Sequence, residues 1–283
     1  MNNPITGITL VTKLDGMDHA IHASLFSHLR DIALKYNLYI LDNPIAKNGF
    51  TIRGLPPSQL VVVVGGDGTM LEAMKYAAFI EGSVVVGFNI GHLGFLTSFD
   101  GVDNFNERLS YVIDTVNDPE FIDKRYLVAE KDNYVAVNEY LITTPGRQHP
   151  LVYNIYVNDQ HVAEQRGDGV LISTATGSTA YALSAGGSIM VPSSDAKQIV
   201  PLAPHTLTSR PVIVGATDTV RVETIPSARQ KQVELYADSR LKVIEDGPAT
   251  FEFTTSRTVN VWRPADWNFF EVLRSKMGWN SVG

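Results

Sequence analysis

Leu60-Val61-Val62-Val63-Val64-Gly65-Gly66-Asp67-Gly68-Thr69 is the stretch on which the reading of this chain turns. Five apolar residues, four of them β-branched, predict a strand buried on both faces. Met70, Leu71, Met74, Ala77 and Ala78 then recur at helical spacing, so a helix follows. Between strand and helix lies a turn rich in glycine. Glycine lets a ligand come close to the main chain, and a turn opening a helix aims unpaired N–H groups outward, which suits phosphate. Asp67 is out of place in a simple anion site, because its charge repels phosphate. It fits a group that handles a proton or meets a metal-bound phosphate. The plainer reading makes Asp67 a helix cap, but a cap does not need Gly65, Gly66 and Gly68 around it. The turn is not a G-x-x-x-x-G-K-[ST] loop, and Leu71 stands where a G-x-G-x-x-G count from Gly66 requires glycine.

The 283 residues suffice for one large or two medium domains. An apolar content of 44% with 19% charged residues is that of an ordinary soluble globular protein. The absence of cysteine excludes disulfides and thiolate metal sites and is consistent with a cytoplasmic location. The first residues show no basic, apolar leader, and no run approaches the ~20 apolar residues that span a bilayer. A net charge of −7 without a lysine or arginine cluster argues against nucleic acid and against electrostatic membrane docking. An anionic ligand would then rely on single arginines: Arg147, Arg166, Arg210 and Arg240 are the candidates.

Upstream of the central turn, 7–12 reads as a strand, 18–36 as a helix with Ile21, Leu25, Leu29, Ile32 and Ala33 on one face, and 38–41 as a second strand. His19 and His22 have no third ligand at metal spacing and read as a solvated face. Ser83–Phe88 is another buried strand. Alternating strands and helices predict a parallel sheet whose ligand edge lies beyond the strand C-termini. Asp67 and the loop Asn89-Ile90-Gly91-His92-Leu93-Gly94-Phe95-Leu96-Thr97 both fall at that edge. The loop reads equally as a packed connection or as a second wall of a nucleotide site. After a short helix near 105–116 the character changes to short strands separated by turn residues, which predicts an antiparallel sandwich or layered sheet. Residues 267–277 close the chain as an amphipathic helix with Phe269, Phe270, Leu273 and Met277 in line.

Three stretches of the β-rich half exceed what a sandwich needs. Asn138-Glu139 sets an amide beside a carboxylate directly after a strand, a pair able to bracket a ribose or base; the glutamate would accept from hydroxyls. Arg166-Gly167-Asp168-Gly169 leads into a strand, and Thr176-Gly177-Ser178-Thr179-Ala180-Tyr181 offers hydroxyls and amides to a polar ligand. GGDGT at 65–69 is shared by NAD kinases, diacylglycerol and sphingosine kinases and, more distantly, 6-phosphofructokinases. Together with Asn138-Glu139, Asp168-Gly169, the TGSTAY run and Pro204-His205-Thr206-Leu207 with Arg210-Pro211, in this order, it resembles the motif set of bacterial NAD kinases from about Gly7 to Trp279.

That resemblance implies an α/β N-terminal domain with a Rossmann-like parallel sheet (1–104, rejoined by 264–283) and a β-rich C-terminal domain (105–263). It implies transfer of the ATP γ-phosphate to the adenosine-ribose 2′-hydroxyl of NAD, with magnesium, in a cytoplasmic homo-oligomer, by resemblance a tetramer. Asp67 matches the family's proton acceptor, and Gly68, Asn138 and Glu139 match its NAD contacts. His149, Arg166, Asp168, Thr179, Ala180, Tyr181 and Ser184 match further NAD-binding positions. Arg240 departs from the pattern, standing where glutamine is common. Two other functions share part of this pattern. A lipid kinase would use the same GGDGT chemistry but lacks the second motif set; a non-catalytic dinucleotide sensor would have no need of Asp67.

Overall fold

The apolar runs of the first part pair in parallel, as continuous burial on both faces requires. The computed structural model describes residues 5–12, 19–42, 59–90, 94–130, 134–147, 149–225 and 232–278. The side chains of His19 and His22, the loop residues Gly91, His92 and Leu93, and Trp279 lie outside the described residues. The first elements are β1 (Gly7–Thr12), α1 (His19–Tyr36), β2 (Tyr39–Asp42), β3 (Gln59–Val64), α2 (Asp67–Ala77), β4 (Val84–Asn89), β5 (Phe99–Asp100) and α3 (Phe105–Thr115). There follow β6 (Ile122–Glu130), β7 (Tyr134–Ala136), β8 (Glu139–Thr143), β9 (Leu151–Val157), β10 (Gln160–Gly167), β11 (Gly169–Thr174) and the single turn α4 (Tyr181–Ser184). The chain finishes with β12 (Ala196–Leu202), β13 (Val212–Gly215), β14 (Val220–Ile225), β15 (Gln232–Ala237), β16 (Arg240–Asp246), β17 (Thr250–Trp262) and α5 (Phe269–Met277).

Two compact units emerge: Met1–Lys124 with Val259–Gly283, and Arg125–Thr258. In the first, the strand order is β17-β4-β3-β1-β2 and every pairing along it is parallel. Leu60 to Val64 are fully buried, as their composition predicts. Helix faces meet the sheet through Leu25, Leu29 and Ile32 of α1 and Phe105, Leu109 and Val112 of α3. An aromatic group centred on the fully buried Trp262 stacks on Phe99 at 5.3 Å and Phe121 at 5.9 Å.

This packing draws the division elsewhere than at 104/105 and 263/264. The buried face of α3 belongs to the first core, and so does Trp262. Thr250–Trp262 is one continuous strand of 13 residues. Its first residues pair antiparallel with β14, while Asn260 and Val261 pair parallel with Val84 and Val85. In α5 the buried residues are Phe269, Val272 and Leu273, whereas Phe270 is 46% exposed. Phe270 therefore lies off the face assigned to it: one residue on from Phe269 is a ~100° turn of the helix.

In the second unit the pairings along both layers are antiparallel. Strands β10-β9-β14-β17 form one layer and β13-β12-β11-β8-β15-β16 the other. Tyr140, Ile142, Ile172 and Leu235 of the second layer meet Tyr153, Ile155, Val222 and Phe253 of the first in a common core, the inner faces of a sandwich.

Candidate functional site

In the first unit the site is built around Asp67. Gly66 holds the N-cap position in extended conformation, and no side chain caps the helix. Asp67 is thus the first helical residue and not the cap. Its carboxylate turns instead to the loop after β4. Oδ2 accepts the N–H of Phe95 and Oδ1 that of Leu96, each at 3.0 Å. A Cβ on Gly94 would collide with Asp67 Oδ1. The two glycine-bearing motifs therefore close on one another through a single carboxylate. From the far side Arg263, 4% exposed, donates to the carbonyls of Thr97 at 2.5 Å and Phe95 at 3.4 Å, with Asp123 at 3.7 Å from its Nε. Beside Asp67, Gly68 is exposed, and a Cβ there would meet nothing within 4 Å among the described residues. The carboxylate is fixed by backbone on one side, with open approach at the neighbouring residue on the other.

In the second unit a cavity of about 480 Å³ opens between β8, the turn before β9, α4 and the β15–β16 hairpin. Glu139, Leu141, Thr143, Thr144, Gly146, Arg147, Tyr181, Glu234, Tyr236 and Ser239 line it. The Arg147 guanidinium lies 5.9 Å from the Tyr181 ring centroid, and the Tyr236 hydroxyl donates to Glu234 at 2.9 Å. Glu139 is 5% exposed. Burial, then the neighbouring Asp238 charge, push its carboxyl up to about 8, while a hydrogen bond from the Tyr181 backbone pulls the other way. Among the described residues its Oε2 has no hydrogen-bond partner. This contrasts with the charged acceptor that the sequence suggests.

The strand end carrying Glu139 is held by Asp238. That carboxylate accepts the N–H groups of Val137 at 3.0 Å, Asn138 at 2.8 Å and Glu139 at 3.3 Å. Asp238 and Ser239 have φ of 45° and 65°, both in the left-handed region, as a two-residue hairpin turn requires. From the other side Thr174 donates its N–H to the Asn138 carbonyl at 2.9 Å. A Cβ on Gly177 would strike that carbonyl, so the TGSTAY run lies flat against Asn138 only because residue 177 is glycine.

Of the residues singled out in the sequence, Glu139, Arg147 and Tyr181 line the cavity itself. Asn138 is not in the lining. Asp168 and His149 are tied to its wall through their carbonyls, which accept the hydroxyls of Thr143 at 2.7 Å and Thr144 at 2.8 Å. Arg166 is exposed on β10, and Thr179, Ala180 and Ser184 lie off the lining. Arg210 folds back on the carbonyls of Leu207 and Ser209. Arg240 lies just past the Asp238–Ser239 turn, outside the lining.

Residues 56–116 match the model of the ATP-NAD kinase N-terminal domain, and 137–264 that of the ATP-NAD kinase C-terminal domain. The NAD kinase of Enterobacter sp. (strain 638) is 38% identical over 233 residues, covering 79% of this chain and 77% of that protein. This chain belongs to the NAD kinase family. The NAD kinase of Escherichia coli O7:K1 (strain IAI39 / ExPEC) is 37% identical over the same shares. Two solved structures share the fold. Yeast NADH kinase complexed with NADH has a TM-score of 0.75 at 22% identity, over 99% of this chain and 90% of that one. An NAD kinase from Archaeoglobus fulgidus in complex with ATP has a TM-score of 0.73 at 20% identity, over 98% and 100%.

Sequence reasoning on this family member missed Asp238 and Arg263 as parts of the site. Asp238 had one legible signal, its place in a two-residue turn between strands. Arg263 had none, since its partners are carbonyls far away in sequence. Arg147 was visible only as one arginine among four.

Proposed function

We propose that this NAD kinase family member transfers the γ-phosphate of ATP to the 2′-hydroxyl of the adenosine ribose of NAD, with Asp67 as the proton acceptor. The observation that carries the reading is the fixed Asp67 carboxylate beside the open Gly68. A ribose hydroxyl is a poor nucleophile at neutral pH, and a carboxylate within ~2.6–3.2 Å can take its proton as the bond to phosphorus forms. Positioning and charge neutralisation contribute most of the remainder in phosphoryl transfer. Each Asp67 oxygen accepts one N–H and keeps lone-pair capacity. Among the described residues no three His, Asp or Glu side chains are grouped as a metal site. The donor set fits a magnesium ion that arrives on the triphosphate, its usual mode of binding, where it would offset the charge facing Asp67.

For the dinucleotide we assign Glu139 and Tyr181, with Asn138, Gly68, His149, Arg166, Asp168, Thr179, Ala180 and Ser184 as further contacts. Arg147 is the cation among the described residues lining the cavity. Among the described residues no helix is long and apolar enough to cross a membrane, and the cysteine-free composition supports a cytoplasmic location. A homo-tetramer is carried by the family resemblance alone. The test is direct: purified chain with ATP, Mg²⁺ and either NAD or diacylglycerol. NADP should form with NAD, and no phosphorylated lipid should appear. Lipid phosphorylation, or binding of NAD without turnover, would overturn the reading.

A further inference from the structure

We propose that Asp238 is a positioning residue of the dinucleotide site, holding Glu139 as a neutral hydrogen-bond donor toward an acceptor atom of the bound dinucleotide. The inference rests on the assignment of the cavity to NAD and concerns how that cavity recognises it. Three successive backbone N–H groups, from Val137 to Glu139, converge on the one Asp238 carboxylate. They would otherwise be the natural donors to a negative charge on Glu139 itself. Asp238 takes all three and sets its own charge close to the Glu139 carboxyl. Among the described residues, Glu139 is left with one oxygen unpartnered in a nearly closed position on the cavity wall.

A buried carboxyl beside another carboxylate keeps its proton, because two close negative charges in low dielectric repel strongly. Burial and Asp238 outweigh the one opposing pull among the neighbours. Tyr181 on α4 contributes a backbone N–H. Glu234 and Tyr236 on β15 share a hydrogen bond with each other. Arg147, before β9, lies over Tyr181. The carboxyl group pushed up to about 8 then carries its proton at neutral pH. A neutral carboxylic acid donates one hydrogen bond, so the matching group on the ligand is an acceptor, such as a ring nitrogen or an oxygen without a proton to give.

Sign decides between this and a charged acceptor. If the neutral acid is the binding form, the KM for NAD in the wild-type chain is flat below pH 8 and rises about tenfold per unit above it. A charged acceptor requires the reverse, with KM falling as pH rises through 8. Glu139→Gln, which cannot ionise, should abolish the break and leave a flat profile from pH 6.5 to 9.5. Asp238→Asn removes the neighbouring charge, so the break should move to lower pH while kcat changes less than KM. Asp238→Ser retains one acceptor without the charge and carries the same expectation should the asparagine variant fail to fold. As a check independent of both, NAD binding to the wild-type chain at pH 8.5 should take up protons in calorimetry across buffers of different ionisation enthalpy. Proton release, a KM that falls or stays flat across pH 8, or an Asp238 variant that melts earlier with the wild-type break would overturn the proposal. A wild-type chain that neither binds nor phosphorylates NAD would instead overturn the assignment of the cavity.

Discussion

Asp67 holds the loop at Phe95 and Leu96 with both carboxylate oxygens, and the proposed function gives the same carboxylate a second duty as proton acceptor. The Asp67→Asn variant should lose ~10²–10⁴-fold in kcat, the usual contribution of general-base help. It is not a silent change to the fold. An asparagine side chain offers one carbonyl oxygen, so one of the two N–H groups faces an NH₂ and loses its acceptor, at a cost of ~1–3 kcal/mol. Melting curves alongside kinetics separate the two effects. A folded variant with near-wild-type kcat would leave Asp67 as a loop tie alone. Gly94→Ala approaches the same carboxylate from outside. Its methyl collides with Oδ1, so kcat should fall although every titrating group is retained. Unchanged kcat in that variant would mean that the position of Asp67 is immaterial.

At the scale of elements, the sequence announces a helix or strand but not always which of its residues face inward. In α5 Phe269, Val272 and Leu273 are buried and Phe270 is 46% exposed. Leu273→Ala should therefore cost ~2–5 kcal/mol, and Phe270→Ala well under half as much, by denaturant unfolding. Equal losses would show that the register of the helix is wrong. Asn268 caps α5, accepting the N–H groups of Phe270 at 2.9 Å and Glu271 at 3.3 Å, and Asn268→Ala should cost ~1 kcal/mol. Arg263 ties β17 to the loop that holds Asp67. The Arg263→Met variant leaves the Thr97 and Phe95 carbonyls without that donor and should lower kcat more than it raises the KM for either substrate. Loss confined to melting temperature would make Arg263 a packing residue only.

For the whole molecule, pH links two buried groups of the second unit to stability with opposite signs. Burial, then Asp238, raise Glu139 from 4.5 to about 8. Between those values the folded chain binds the extra proton, so the stability it contributes is complete below pH 4.5 and is lost as pH rises through 8. Lys197 on β12, 1% exposed, donates to the carbonyls of Ala216 at 2.8 Å and Asp218. Burial lowers it from 10.5 to about 8, against the opposing pull of Asp218. There the unfolded chain binds the extra proton, so stability recovers as pH rises from 8 to 10.5. The two contributions together place a minimum near pH 8, read by thermal melts from pH 5 to 10. Glu139→Gln should flatten the falling arm and leave the rising one. A profile that rises steadily through neutral pH would contradict the sign given for Glu139, and one that stays flat above pH 8 the sign given for Lys197.

What the sequence determined without help is what local patterning can encode. Leu60–Val64 had to be a strand buried on both faces, because nothing in it tolerates water, and 65–69 had to turn into a helix. The sandwich followed from many short strands. The family could be named because GGDGT, Asn138-Glu139 and TGSTAY keep their order along the chain. Strands without alternation left little signal: β10 presents mostly exposed residues from Gln160 to Arg166, and only pairing with β9 makes it a strand. Tertiary structure alone decided that α3 and Trp262 join the first core, since burial depends on what packs opposite. It also decided the duties of the carboxylates. Asp67 finds its N–H partners 28 and 29 residues away, and Asp238 finds its own 99 to 101 residues back. No local pattern encodes a hydrogen bond across that distance, and the ionisation of Glu139 depends on burial and on a charge that only the folded chain brings beside it.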